Sequence, residues 1–410
     1  MTLFADPQAM KPRTTTTSST VRAWRDRKKH LWPLGLVVPL LPFVGWGLVT
    51  VTGQGIFWWA PPVVVFGIIP LVDLVAGTDS DNPPEELIPD LERDRFYRWV
   101  IYLFLPLQYA SLIAGTYLLG GGDVLGATPA TVWDKIGLAT GLGTVAGIAI
   151  NTAHELGHKK QTHERWLARI ALAQTFYGHF FIEHNRGHHV RVATPEDPAS
   201  SRLGESIWGF LPRTVIGSLR SAWGIERRRL GRRGESPWTL RNDVLNAWAF
   251  SVVLWGALVL AFGVGVLPYL LVQALVGIWL LESVNDLEHY GMRRTVLETG
   301  RTERVNASHS WNSNNIGTNV LLYHLQRHSD HHAHPTRSYQ SLRDFVEAPV
   351  LPTGYAGMIV LTWVPAIWRR VMDPRVIAHF DGDVTRANIH PPARARVLQR
   401  HGTVEATVAE

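Results

Sequence analysis

The chain has 410 residues, 46% of them hydrophobic, with 17 Trp, 18 His, no Cys, and 40 Lys and Arg against 34 Asp and Glu for a net charge of +6. Without cysteine there are no disulfides, no thiolate-held iron, no iron-sulfur cluster and no cysteine-built metal domain within the chain. A mean hydropathy near zero hides two populations, long uncharged runs and Arg-rich polar stretches, which excludes an ordinary soluble protein.

In chain order, residues 1–30 read as a polar N-terminal tail, Thr/Ser-rich to about residue 21 and disordered, with no cleavable signal sequence. The basic run Arg22, Arg25, Arg27, Lys28, Lys29 directly precedes the first apolar stretch and holds this end in the cytoplasm by the positive-inside rule. Crossing a bilayer core of about 30 Å takes roughly 20 apolar residues as a helix. Six runs qualify, at 31–52, 56–77, 97–120, 135–153, 244–264 and 266–287. The connections after the first, third and fifth carry no Lys or Arg and face outward, whereas 78–96, 155–243 and 288–410 carry almost all remaining charge and face the cytoplasm. The expected fold is therefore an all-α integral membrane protein, a six-span domain over 31–372 with a cytoplasmic helical cap, then a cytoplasmic C-terminal tail at 373–410. An even number of spans leaves both termini in the cytoplasm. Prolines 33, 39, 42, 61, 62, 70 and 106 should kink spans one to three. Gly137, Gly141, Gly143 and Gly147 of span four suit close helix packing. No internal repeat is visible.

Nine histidines fall into four groups: His154-Glu-Leu-Gly-His158, His184-Asn-Arg-Gly-His188-His189, His289 in Asn-Asp-Leu-Glu-His-Tyr-Gly, and His328-Ser-Asp-His331-His332. On α-helices, spacings of three and four put imidazoles on one face, one turn apart, where they can share a metal ion. The topology places all nine at the cytoplasmic side, because His154, His158 and His289 extend spans four and six past the membrane. Lone histidines are ordinarily structural or exposed, and His30, His163, His179, His309, His379, His390 and His401 are read so.

Imidazole suits Zn, Fe, Cu and Ni, so ligand number is the better guide to the metal. Zinc takes three or four protein ligands, whereas two six-coordinate ions accept nine histidines and keep open positions, which favours a dinuclear site. His154-Glu155-x-x-His158 also fits the HExxH pattern of zinc proteases, but that reading leaves three groups idle. A carboxylate di-iron bundle needs two Glu-x-x-His pairs, and only Glu155 to His158 occurs within the groups. A metal transporter would place its ligands within the spans, near the midplane. Ligating histidines donate their second ring N–H to acceptors. Candidate acids are Glu155, Glu183, Asp197, Glu282, Asp286, Glu288 and Asp330.

The string Glu183-His-Asn-Arg-Gly-His-His-Val-Arg-Val-Ala-Thr-Pro-Glu-Asp-Pro-Ala-Ser200, with Asn285–Gly291 and Leu325–Gln340, resembles the signature strings of the alkane 1-monooxygenases, within the membrane desaturase and hydroxylase superfamily. The resemblance covers about residues 31–372. One departure is Asp286, where the family string usually has Tyr. The resemblance implies iron ligands at His154, His158, His184, His188, His189, His289, His328, His331 and His332, with His324 and His334 outside the pattern. It implies two non-haem iron ions and O2-dependent hydroxylation of a medium- to long-chain n-alkane to a primary alcohol. Electrons would come from NAD(P)H through a reductase and a separate rubredoxin, in keeping with the absence of cysteine. The expected location is a bacterial-type inner membrane, with the active site on the cytoplasmic side. A fatty acyl desaturase or lipid hydroxylase is the alternative with the same histidine cage, and a zinc protease the more distant one.

An alkane partitions into the bilayer, so a channel among the spans is expected, with Trp58, Trp59, Trp279 and Leu325 as wall candidates. Interfacial anchoring is the competing role for Trp58 and Trp59. Arg227, Arg228 and Arg229 sit in an Arg-rich cytoplasmic stretch that could dock an acidic rubredoxin or lie against anionic lipid. Topology explains the positive charge, so no nucleic-acid partner is expected.

Overall fold

The computed structural model describes residues 24–401; the expected disordered segment to residue 21, Arg22, and residues 402–410 lie outside the described part. Its secondary structure is helical, with only isolated β-bridges between extended segments. Six helices are long and apolar enough to cross a membrane: Trp32–Thr52, Gly55–Ala76, Arg95–Leu119, Val132–Gly157, Asp243–Phe262 and Val264–His289, here spans one to six. Spans four and six run further than the apolar runs because nothing breaks them. Span four continues to Gly157 and span six to His289, just before Gly291 turns the chain at φ +74°.

Helix starts are marked in the sequence. Thr131 and Asp134 form a reciprocal capping box at span four, and Asp94 and Asn242 cap spans three and five. Prolines act unequally. Span one opens as a 3-10 helix, Trp32–Leu40, and span two passes from 3-10 through α to a π turn at Val64–Ile68 before resuming as α, while Pro106 sits inside an unbroken helix. The span-four glycines are packing positions: a Cβ on Gly143 would lie 2.6 Å from the Gln273 carbonyl, and one on Gly147 would lie 2.8 Å from Leu280. Span four is accordingly the most buried helix and lies chiefly against span six.

Further helices roof the far ends of these two spans, among them the 25-residue Ile207–Gly231 and the shorter Thr162–Leu172, Ile316–Leu321, His328–Ala333, Tyr355–Thr362 and Pro365–His379. Two clamps tie roof to spans. Asp73 of span two accepts from Thr318 N at 2.8 Å and from the Thr318 hydroxyl, capping helix Ile316–Leu321 from another element. The buried Arg327 guanidinium donates to the carbonyls of Leu342, Asp79 and Asp81 at 2.7, 3.0 and 2.9 Å, fixing the turn that begins at His328. Both expected tails join this cap where they are described. Asp26 accepts from Tyr97 Oη at 2.8 Å, Asp373 accepts from Tyr290 Oη at 2.8 Å, and Leu203 N donates to the Asn388 carbonyl at 2.7 Å.

Candidate metal centre

All nine grouped histidines converge between the ends of spans four and six and the roof. They divide into two clusters whose ligand atoms lie within 4.8 Å of one another: His154, His158, His184, His189 and His331 in the first, and His188, His289, His328 and His332 in the second. No other histidine joins either cluster among the described residues. His324 is tied to the Tyr339 carbonyl and to Lys28 Nζ, both at 2.9 Å, and His334 to Asp330 at 2.7 Å.

The partition corrects the rule that spacings of three and four share a metal. His154 and His158, and His328 and His332, obey it, each pair sitting one α-turn apart. His184 and His188 do not, because His184–His188 is a π turn, and neither do His328 and His331, three apart on an α-helix but in different clusters. The wider turn pairs His184 with His189, five residues on, with Nε2 atoms 3.0 Å apart, and sends His188 to the second cluster. Adjacent residues on a helix never face the same way. Each His-His doublet therefore supplies both clusters, 188 and 332 to one, 189 and 331 to the other. That doublet was the sequence signal for two separate sites.

Ring nitrogens meet as a cation would require. In the first cluster, Nε2 of His331 lies 2.9 Å from His154 Nε2 and 3.1 Å from His189 Nε2. In the second, His328 Nε2 lies 2.8 Å from His332 Nε2 and 3.3 Å from His289 Nε2. A neutral imidazole carries one N–H and one lone pair, so such contacts cannot all be hydrogen bonds. Nε2 of His158 and of His188 is buried with no hydrogen-bond partner. The donor set fits a metal ion in each cluster.

At His188 a hydrogen bond on the opposite ring nitrogen turns the lone pair inward. Asp197 Oδ2 accepts from His188 Nδ1 at 2.9 Å, and Glu288 Oε1 lies 3.2 Å from His328 Nδ1. Ser310 Oγ, which the sequence did not flag, lies 3.4 Å from His289 Nδ1. The other candidate acids are engaged elsewhere. Glu155, the glutamate of the HExxH pattern, pairs with Lys159 at 2.7 Å and accepts from Tyr339 N. Glu183 binds Arg191, Glu282 takes donors from Tyr177, Thr214 and Asn285, and Asp330 holds His334 and Arg337. The Asp286 carboxylate, at the departure from the family string, reaches no grouped histidine, and its backbone carbonyl accepts from Ser201.

Burial, reinforced by repulsion from neighbouring rings, holds the His158, His184, His189, His328, His331 and His332 imidazoles well below their ordinary range. Neutral rings are the form that binds metal. Burial also pushes the Glu183 carboxyl up to about 7. Asp330 goes the other way: burial opposes its charge, but Arg337, His334 and Arg343 outweigh it and hold the carboxyl down to about 2.

An apolar cavity ends at the clusters. His154, His184, His328 and Glu288 form its roof, and Val38, Val65, Ile69, Ile148, Leu280, Leu281, Leu325 and Ile359 are among its walls. From Glu288 to Leu280 the wall descends eight residues of span six, ~12 Å at the helical rise. Of the expected channel residues only Leu325 faces this space. Trp279 precedes Leu280 but turns toward Phe66 and Trp363. Trp58 is buried in a separate apolar cluster with Leu112 and Leu138, and Trp59 stacks on Trp133. Arg227 and Arg228 are exposed on helix Ile207–Gly231, while Arg229 is drawn onto Glu226 at 2.6 Å.

A sequence model of the fatty acid desaturase family matches residues 131–362, which contain every grouped histidine. An alkane 1-monooxygenase from Ectopseudomonas oleovorans is 48% identical over 93% of this chain and 94% of its own length. One from Alcanivorax borkumensis is 48% identical over 92% of each chain. The xylene/toluene monooxygenase hydroxylase component of Pseudomonas putida is 27% identical over 65% of this chain and 70% of its own.

Proposed function

Since the chain belongs to the fatty acid desaturase family and, within it, to the alkane 1-monooxygenases, and is an enzyme of that class, we propose that it converts medium- to long-chain n-alkanes and O2 to primary alcohols. The reaction would occur at two non-haem iron ions held by the nine histidines, with His154, His158, His184, His189 and His331 around one and His188, His289, His328 and His332 around the other. The observation that carries this reading is the meeting of inward ring nitrogens with the closed end of a deep apolar cavity.

When bound, iron supplies the redox and O2 chemistry that no side chain of this protein can. The chain does the rest. Asp197 orients His188 so that Nε2 points inward, and the Glu288 carboxylate lies beside His328 Nδ1. The walls are mostly apolar and their polar members are engaged, Asn151 with the Leu322 carbonyl, Asn285 with Glu282 and Thr318 with Asp73, so an alkane lies along the cavity with one terminal carbon under His154, His184 and His328. Terminal selectivity follows from this end-on geometry.

The six apolar helices support a multi-pass membrane protein, and the arrangement proposed is an inner-membrane one with both termini and the histidine end in the cytoplasm. Electrons would arrive from NAD(P)H through a reductase and rubredoxin. The exposed Arg227 and Arg228 are the proposed docking contacts, whereas Arg229, already paired with Glu226, is the weaker member of the expected trio.

The test is turnover of a medium-length n-alkane by the purified protein with rubredoxin, its reductase, NADH and isotopically labelled O2, followed by mass spectrometry. Labelled primary alcohol is expected. No alcohol, with bound iron and electron delivery verified, would redirect the reading to an acyl desaturase or lipid hydroxylase.

A further inference from the structure

Three aromatic rings from three separate elements meet beside residues that line the cavity. Phe66 belongs to the π turn of span two, Trp279 to span six, and Trp363 follows helix Tyr355–Thr362. Their centroids are 6.1 Å apart for Phe66–Trp279, 5.3 Å for Phe66–Trp363 and 5.1 Å for Trp279–Trp363. None of the three lines the cavity itself, but each lies close in the chain to a residue that does. Val65 and Leu280 are chain neighbours of Phe66 and Trp279, and Ile359 lies one helical turn before Trp363. The three aromatic residues are partly exposed, while Val65, Leu280 and Ile359 are buried.

On the outer, membrane-facing side Ile68, Leu275 and Val364 are exposed, so the partly exposed rings stand between that surface and the buried lining residues. Nε1 of Trp279 and of Trp363 has no hydrogen-bond partner, as is also true of Trp58, Trp59, Trp248 and Trp368. One feature sets this group apart from ordinary core aromatics. The backbone behind Phe66 is a π turn, a local expansion of the helix that recurs at functional positions. Beside it, a side chain added at Gly67 would meet nothing within 4 Å.

We propose that Phe66, Trp279 and Trp363 form the lateral portal through which an apolar chain passes from the bilayer into the cavity, and that their rings select by cross-section. This rests on the alkane reading of the cavity. A straight alkyl chain slides between rings by small side-chain rotations; a branched or ring-bearing hydrocarbon needs one of them removed. The three residues are positioning residues that touch substrate in transit, so they govern kcat/KM rather than kcat at saturation.

The cysteine-free chain allows a direct test. Phe66→Cys and, separately, Trp363→Cys are compared with Leu71→Cys, an exposed position on span two outside the cavity, with metal content verified for each. A bulky thiol reagent on Cys at 66 or 363 is expected to lower kcat/KM for n-octane at least tenfold, reversibly on reduction, and to do nothing at 71. The n-alkane alone should slow labelling at 66 and 363 and not at 71, a readout independent of turnover. Phe66→Ala should raise kcat/KM for ethylcyclohexane relative to n-octane about tenfold. Unchanged kcat/KM after labelling, or no alkane protection, in a protein whose unmodified form oxidises n-octane would overturn the portal and leave the alkane reading standing. An unmodified protein that binds iron, accepts electrons and oxidises no n-alkane would overturn both.

Discussion

Asp197→Asn separates the two clusters. Asp197 is fully buried, and its Oδ2 accepts from His188 Nδ1 at 2.9 Å and from Ser200 Oγ at 2.7 Å. Asparagine keeps the shape and an acceptor oxygen but removes the charge. A hydrogen bond to a charged group contributes about 1.5–3 kcal/mol, against about 0.5–1.5 for a neutral one, so the loss is roughly 1–2 kcal/mol, or about 5- to 30-fold in binding. This agrees with the roughly 10- to 100-fold loss of affinity found when a ligand's outer partner is removed. His188 belongs to the four-histidine cluster, and nothing in the five-histidine cluster touches Asp197. Anaerobic titration with a chelator, reading metal per chain, should therefore show one ion released at about tenfold lower chelator while the other holds. Parallel weakening of both ions, or an unchanged release curve, would refute the assignment of His188 and its carboxylate to one cluster.

Three further outcomes are expected. Leu280→Ala removes three carbons from the cavity floor and should raise kcat/KM for longer n-alkanes, roughly fourfold for each methylene newly buried at about 0.8 kcal/mol. Identical chain-length profiles by product analysis would remove Leu280 from the cavity account. Burial, and then Arg327, pull Lys28 down to about 8 although Asp79 opposes them, so between about 8 and its ordinary 10.5 the unfolded chain binds more protons and stability rises with pH. Lys28→Met should flatten that rise when melting is compared at pH 7.5 and 9.5, and equal slopes would count against it. Reversing charge at Arg227 and Arg228 should weaken the salt dependence of rubredoxin turnover; an unaltered dependence would leave those arginines to the lipid surface.

Much of this protein was legible in its sequence because the information is local. Helix length and charge asymmetry locate six spans to within a few residues, and the caps at Thr131, Asp94 and Asn242 mark where three begin. The four glycines of span four announce close packing, which the structure realises against spans two and six. The nine grouped histidines are the nine that meet. What the sequence could not decide depends on turn geometry and on contacts between distant segments. A spacing of three or four between histidines does not by itself assign a cluster: the π turn at His184–His188 sends His188 to the other cluster, and His328 and His331, three apart on an α-helix, also part. Seven acids lay near the histidines in sequence, but only Asp197 and Glu288 approach grouped rings, because Lys159, Arg191, Arg337 and the Tyr177–Thr214 pair take four of the others first. The cavity walls come from spans one, two, four and six together with the roof, so no single segment carries a periodic trace of them. Residue type and spacing fixed which groups could bind a metal, and only the packing of remote helices decided which nitrogens face one another, since that distance is set by long-range contacts and not by neighbours along the chain.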